Sequence, residues 1–191
     1  MTNPPPSVRT IGVAFSIPEP FCNELQKVRE AYGDPMAVSI PTHITLLPPH
    51  EVPDADLGDL ITHLGEVASG TRPFRVHLRG TGTFRPVSPV VFVGVVEGIS
   101  QCEQLEAGVR QGRLVFERTF PYHPHVTVAH HLPEDRLEQA FTDLEDFDAT
   151  FDVHEMWMYL HDDLSGWQPT KAFPLGELTG PDRPERVRTP A

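Results

Sequence analysis

The order of elements in this 191-residue chain runs twice. Ile11, Val13, Phe15 and Ile17 alternate with smaller or polar residues, the period of a half-buried strand. Phe21, Leu25, Val28 and Tyr32 then recur at helical spacing, and Gly33 supplies the stop. A second strand carries His43-Ile44-Thr45-Leu46, with Pro41 before it and Pro48-Pro49 expected to end it. Leu57, Leu60, Ile61, Leu64 and Val67 mark a helix opening near Asp54, and Phe74, Val76 and Leu78 a third strand. The series begins again with an apolar strand at Pro89–Val96. Ser100 and Glu103 are spaced as a capping box for a helix facing Cys102, Leu105 and Val109 inward. A strand at Tyr122–Val128, a helix with Leu137, Ala140, Phe141 and Leu144, and a strand with Phe151, Val153, Trp157 and Tyr159 on one side follow. Matching elements lie 77 to 82 residues apart.

Near-constant spacing over five elements is what internal duplication produces. It predicts one domain over 8–175, built of two lobe-like halves at about 8–80 and 88–160. A closing strand at about 167–175 follows a Gly166 turn, and 1–7 and 180–191 read as loose termini. A pseudo-two-fold between the halves would set matching positions opposite each other.

Charge then narrows the function. With 27 Asp and Glu against 15 Lys and Arg, the net charge is −12. A groove tracking a long polyanion needs the opposite balance. A small anionic ligand, or one end of a larger one, stays open. Cys22 and Cys102 stand alone, so no disulfide scaffold or thiolate metal site is indicated and a reducing compartment is expected. The N-terminus lacks the basic and apolar regions of a leader, and no apolar run is long enough to span a bilayer. The reading is a cytoplasmic protein, expected to act as a monomer.

The matched strands carry the chemistry: His43-Ile44-Thr45-Leu46 and His125-Val126-Thr127-Val128 are both His-apolar-Thr-apolar. Residues i and i+2 of a strand share a face, so each strand offers an imidazole and a hydroxyl to one side and two apolar groups to the core. One His-x-Thr means little, but two such matches with both apolar positions filled arise in roughly one per cent of shuffled sequences. Two imidazoles can divide acid and base work near neutral pH, and hydroxyls can donate to phosphate oxygens that gain charge.

On these motifs, and on the pattern from Met156 to Leu175 with Trp167 and Phe173, the chain resembles the 2H phosphoesterases. Within them it is most similar to the 2'-5' RNA ligase and RNA 2',3'-cyclic phosphodiesterase group. The resemblance implies a bilobal α+β fold, with antiparallel sheets flanked by outer helices and an active-site cleft between the lobes. It implies that His43 and His125 are the catalytic pair and that Thr45 and Thr127 hold the phosphate, with no cofactor and no metal. For a 2',3'-cyclic phosphate of an RNA end or small nucleotide, it implies that His125 activates water and His43 protonates the 3' oxygen. A 2'-phosphate would result, and the reverse sense would join 2' and 5' ends. Where many RNA-directed members carry Arg after the second motif, this chain has Ala129-His130-His131. His130, and Arg118 before the motif, are therefore the further candidates for substrate contact, with Phe84 and Tyr122 as candidate base-stacking platforms.

Two rival readings use the same residues. One is a non-catalytic nucleotide or RNA-binding module on this scaffold. The other is a zinc hydrolase built on His123, His125, His130 and His131, since i and i+2 in a strand can share a metal.

Overall fold

In a computed structural model, residues 7–111 and 120–176 are described. β1 (Val8–Ser16) turns Ile11, Val13 and Phe15 into the core. α1 (Phe21–Tyr32) buries Leu25, Arg29 and Tyr32 and ends at Gly33, whose φ of 81° is the left-handed conformation that glycine takes without strain. β2 (His43–Pro53) runs on through Pro48 and Pro49, which were expected to end it. Beyond Ile44 its only ladder partner among the described residues is β1, so one edge has no need of proline's missing amide.

A 3-10 turn at Asp54–Asp56 leads into α2 (Leu57–Ser69), which buries Leu60, Leu64 and Ala68. β3 (Phe74–Thr83) and β4 (Val90–Glu97) follow, then α3 (Ile99–Val109). The Ser100–Glu103 capping box does not form. Gly98 at φ 90° makes the turn, the helix starts one residue before Ser100, and a Cβ on Gly98 would stand 2.6 Å from the Arg75 carbonyl oxygen.

β5 (His125–His130), α4 (Glu134–Asp143), β6 (Asp148–Val153), β7 (Glu155–Asp162) and β8 (Gly166–Pro174) complete the fold. The single strand expected to hold Phe151 through Tyr159 is two strands broken at His154, one pairing with β3 and the other with β1. Arg75, His77 and Arg79 form an outward strand face, with Arg75 ion-paired to Asp152, Arg79 to Asp148, and His77 hydrogen-bonded to Asp148.

All neighbouring strands are antiparallel in one sheet, in the order β6-β3-β4-β5-β2-β1-β7-β8. With four helices among the described residues packed around it, this is an α+β duplication with β5 and β2 at its centre. Sheet halves and sequence halves differ in two strands: β7 begins within 88–160 by sequence, yet it lies beside β1. β3 belongs to 8–80 by sequence, yet it lies between β4 and β6, because the short connection 84–89 makes it the hairpin partner of β4.

Such a sheet is strongly curled. Only His154 separates Val153 on the β6 edge from Glu155 on β7. Two residues reach about 7 Å, whereas six steps across a flat sheet would span about 30 Å. Phe15 on β1 and Phe74 on β3 likewise meet edge to face with ring centroids 5.8 Å apart, although three strands lie between theirs. No helix among the described residues is long and apolar enough to cross a membrane.

Candidate active site

β2 and β5 meet at one ladder pair, Ile44 opposite Val126. These two residues hold the same place in the two motifs, so the local two-fold passes between them. Extending the antiparallel register by one residue each way sets His43 across from Thr127 and Thr45 across from His125. The four side chains therefore occupy the corners of a quadrilateral, imidazoles on one diagonal and hydroxyls on the other, each diagonal about 7–8 Å. Ile44, Leu46, Val126 and Val128 are buried on the other face, while the four polar residues are half-buried. Burial of the apolar set fixes the register, since a slip of one residue would turn it to solvent.

The strands also break step at matching places. β1 pairs Ala14 with Thr45 and then Val13 with Leu47; β4 pairs Phe92 with Thr127 and then Val91 with Ala129. One extra residue follows each threonine, the kind of bulge that bends a strand.

Each imidazole is held in the same way. Nδ1 of His43 lies 2.7 Å from the Pro41 carbonyl oxygen, and Nδ1 of His125 lies 2.7 Å from that of His123. A carbonyl only accepts, so both rings carry a proton on Nδ1 and leave Nε2 for exchange. The loop bearing Pro41 is fixed from the core. Arg29, buried against Asp34, donates through Nη1 to the Ile40 carbonyl at 2.7 Å, and Asp34 accepts the Met36 amide at 2.9 Å.

Burial holds both imidazoles below the ordinary value of 6.5. For His43, desolvation outweighs the Pro41 carbonyl, and Arg29 adds to the lowering. For His125, desolvation dominates and the neighbouring His123 and His43 lower it further, to about 4. Both are therefore mostly neutral at pH 7.

The remaining candidates fall around this centre unevenly. Phe84 packs on Phe92 at 4.5 Å between centroids and meets His125 edge-on at 5.0 Å. Arg85, next to it, is paired with Glu134 and Glu138 of α4. Tyr122 donates its hydroxyl to the Thr45 carbonyl at 2.9 Å, tying the approach to β5 onto β2. Its half-buried phenol is pushed well above the ordinary range, chiefly by desolvation. His130 ends β5, about 16 Å along the strand from His125, with its ring 3.9 Å from that of His131. His131 has a φ of 53°, uncommon for a residue with a Cβ. Arg118 lies outside the described residues. Among the described residues, no group of three or more His, Cys, Asp or Glu is gathered as metal ligands.

Residues that the sequence did not single out for the site adjoin it. Gly12, Ala14, Ile40, Tyr159 and Trp167 line a pocket that opens beside His43 and Thr45. They come from three strands and a loop, and nothing in their spacing marks them.

This arrangement, a duplicated α+β fold with paired His-x-Thr strands facing one cleft, is the framework of a 2H protein. The model of the 2'-5' RNA ligase superfamily matches residues 17–164, and the chain belongs to that family. Among relatives, "Putative phosphoesterase OB1230" of Oceanobacillus iheyensis is 28% identical over 172 residues, covering 86% of this chain and 97% of that protein. A Bacillus cytotoxicus protein with the same kind of name is 30% identical over 171 residues, covering 87% of this chain and 97% of that one. Of solved structures, Escherichia coli LigT complexed with 3'-AMP superposes with a TM-score of 0.66 at 21% identity, over 90% of this chain and 100% of that one. TT0787 of Thermus thermophilus gives 0.63 at 25%, over 88% and 99%.

Proposed function

We propose that this protein is a phosphodiesterase that opens a 2',3'-cyclic phosphate, on an RNA end or a small nucleotide, to a 2'-phosphate. The observation that carries this reading is the diagonal placement of two identically oriented imidazoles, with a threonine beside each. The relatives named as phosphoesterases support the reaction class. LigT, which shares the fold, has been crystallised with 3'-AMP, ATP and NADP+, in keeping with a nucleotide ligand.

In the proposed step the phosphate sits between the diagonals, with Thr45 and Thr127 donating to its non-bridging oxygens as charge grows there. Nε2 of His125 takes a proton from water, whose oxygen attacks phosphorus. The P–O3' bond breaks on the opposite side, and Nε2–H of His43 protonates the departing oxygen. Both imidazoles are mostly neutral beforehand, so the anionic substrate must raise His43 enough for it to arrive charged. Water is the nucleophile and neither a side-chain nucleophile nor a cofactor enters this balance; a 5'-hydroxyl attacking in place of water, with O3' leaving as before, would join 2' and 5' ends.

The test is to incubate the purified protein, with chelator present, with a panel of nucleoside and oligonucleotide 2',3'-cyclic phosphates and to identify the product isomer. Release of a 2'-phosphate is expected. Tight binding without turnover would favour a silent binding module, and activity abolished by chelator would favour a metal hydrolase.

A further inference from the structure

The local two-fold that relates the catalytic strands fails at one position. On β1 the residue across from Thr45 is Ala14; on β4 the residue across from Thr127 is Phe92. Residues directly opposite share a face, so both lie on the cleft side. Phe92 fills its half. Its ring lies so close over β3 that a Cβ on Gly82 would stand 2.5 Å away, and Phe84 packs beside it with its ring tilted by 35°. Together they close the space next to His125, meeting its ring at 5.1 and 5.0 Å.

Ala14 leaves its half open. Gly12, one cleft-side position along β1, also has no side chain, and a Cβ there would meet the Trp167 ring at 3.3 Å. The result is a pocket with a cavity volume of about 120 Å³ beside His43. The rings of Trp167 and Tyr159 form one wall, and Ile40, Pro41, Pro48 and Pro49 supply others. The Tyr159 hydroxyl is 2.8 Å from Ser16 Oγ, which fixes the ring. Among the described residues, no Asp, Glu, Lys or Arg lines this pocket. An apolar, aromatic-walled space of this kind suits an uncharged planar group and gives nothing to a second phosphate.

We propose that this pocket is the subsite for the nucleobase of the cyclic phosphate, held against Trp167 and Tyr159, and that the open and filled halves give the cleft its direction. The inference rests on the phosphodiesterase reading above. In-line opening puts the attacking water and the departing O3' on opposite sides of phosphorus. The ribose stays bonded to phosphorus through O2' but carries O3' as well, so it and its base lie on the O3' side, beside the acid, and the pocket is beside His43. The half beside His125, taken up by Phe92 and Phe84, offers no comparable space for a base, which leaves that side to the small nucleophile. The chain thus reads the base through neutral stacking, as its acidic composition requires.

The test compares adenosine 2',3'-cyclic phosphate with ribose 2',3'-cyclic phosphate, which lacks the base. The wild-type protein is expected to show kcat/KM at least about tenfold higher on the nucleotide, in line with the worth of one aromatic stacking contact. Trp167→Ala and Ala14→Phe should each bring that ratio near one, whereas Trp167→Phe should keep most of it. Equal rates on the two substrates in the wild-type protein would overturn the subsite and leave the phosphodiesterase reading intact. So would a ratio unchanged in a Trp167→Ala protein shown to be folded by circular dichroism. If neither compound is turned over, the phosphodiesterase reading fails and binding decides the subsite. In a Trp157→Phe background, quenching of Trp167 fluorescence by adenosine 2'-phosphate but not by ribose 2-phosphate supports it; no quenching overturns it.

Discussion

Ile44 and Val126 face each other across the ladder pair that joins β2 to β5, and the axis relating the halves of this protein runs between them. Their side chains go to the core, and each holds its flanking His and Thr on the other side. The catalytic proposal follows from that pairing, because it makes each histidine the diagonal partner of the other and the cross-strand neighbour of the other motif's threonine.

Substituting either imidazole should therefore disable the same step. His43→Ala and His125→Ala are each expected to lower kcat by about 10² to 10⁴ on a 2',3'-cyclic phosphate. The double variant should be little worse than the poorer single one, since the two groups act in one transition state. Full additivity, measured in a double-mutant cycle, would argue against a shared step.

The pH dependence has a definite sign. kcat/KM reports the free enzyme, where His125 must be neutral and His43 protonated. With His125 near 4 and His43 below 6.5, the kcat/KM profile should be a bell lying on the acid side of pH 6.5. Its alkaline limb belongs to His43. The bound phosphate anion favours the imidazolium, so the corresponding limb in kcat should lie at higher pH than in kcat/KM. Profiles of both parameters from pH 4 to 9 check this, and coincident alkaline limbs would contradict it.

Tyr122 should act through structure. Tyr122→Phe removes the hydrogen bond to the Thr45 carbonyl across the central seam, and is expected to cost about 0.5–1.5 kcal/mol of stability. Urea unfolding of the variant measures that cost. A base-stacking role for the ring would keep substrate affinity unchanged in Tyr122→Phe, so a rise in KM matching the lost stability would point to the seam.

The buried pair of Arg29 and Asp34 supports the loop that orients His43. Their side chains are 5% and 0% exposed, so Arg29→Ala would strand a buried carboxylate and is expected to cost about 3–5 kcal/mol. Asp34→Asn also loses the charge pairing and should likewise destabilise. Thermal unfolding of both variants is the check, with near-wild-type stability of either as the contrary result.

What the sequence revealed and what it concealed have physical reasons. The His-x-Thr strands were legible because burial of Ile44, Leu46, Val126 and Val128 imposes a period of two that a single chain displays. Gly33 was legible as a helix stop because its conformation is local. The length of β2 was not, since Pro48 and Pro49 are harmless only where β5 has already parted from the strand. The break at His154 was hidden because Val153 and Glu155 each continue a plausible strand; only their partners, Phe74 of β3 and Pro174 of β8, separate them. Placement of β3 with β4 depends on connection length rather than on the repeat. The pocket was least legible of all. Gly12 and Ala14 look like ordinary small residues of a strand, and their meaning emerges only when Ala14 is set against Phe92 across the axis.

The passage of the chain through His154 has a mechanical consequence. That residue pins the β6 edge to β7, and the Leu175 amide fastens onto its carbonyl at 2.8 Å. The sheet is thereby drawn together on the side away from the β5–β2 seam, so the curl behind the paired histidines is held at two places, by the Ile44–Val126 ladder pair in the middle of the sheet and by His154 where its ends meet.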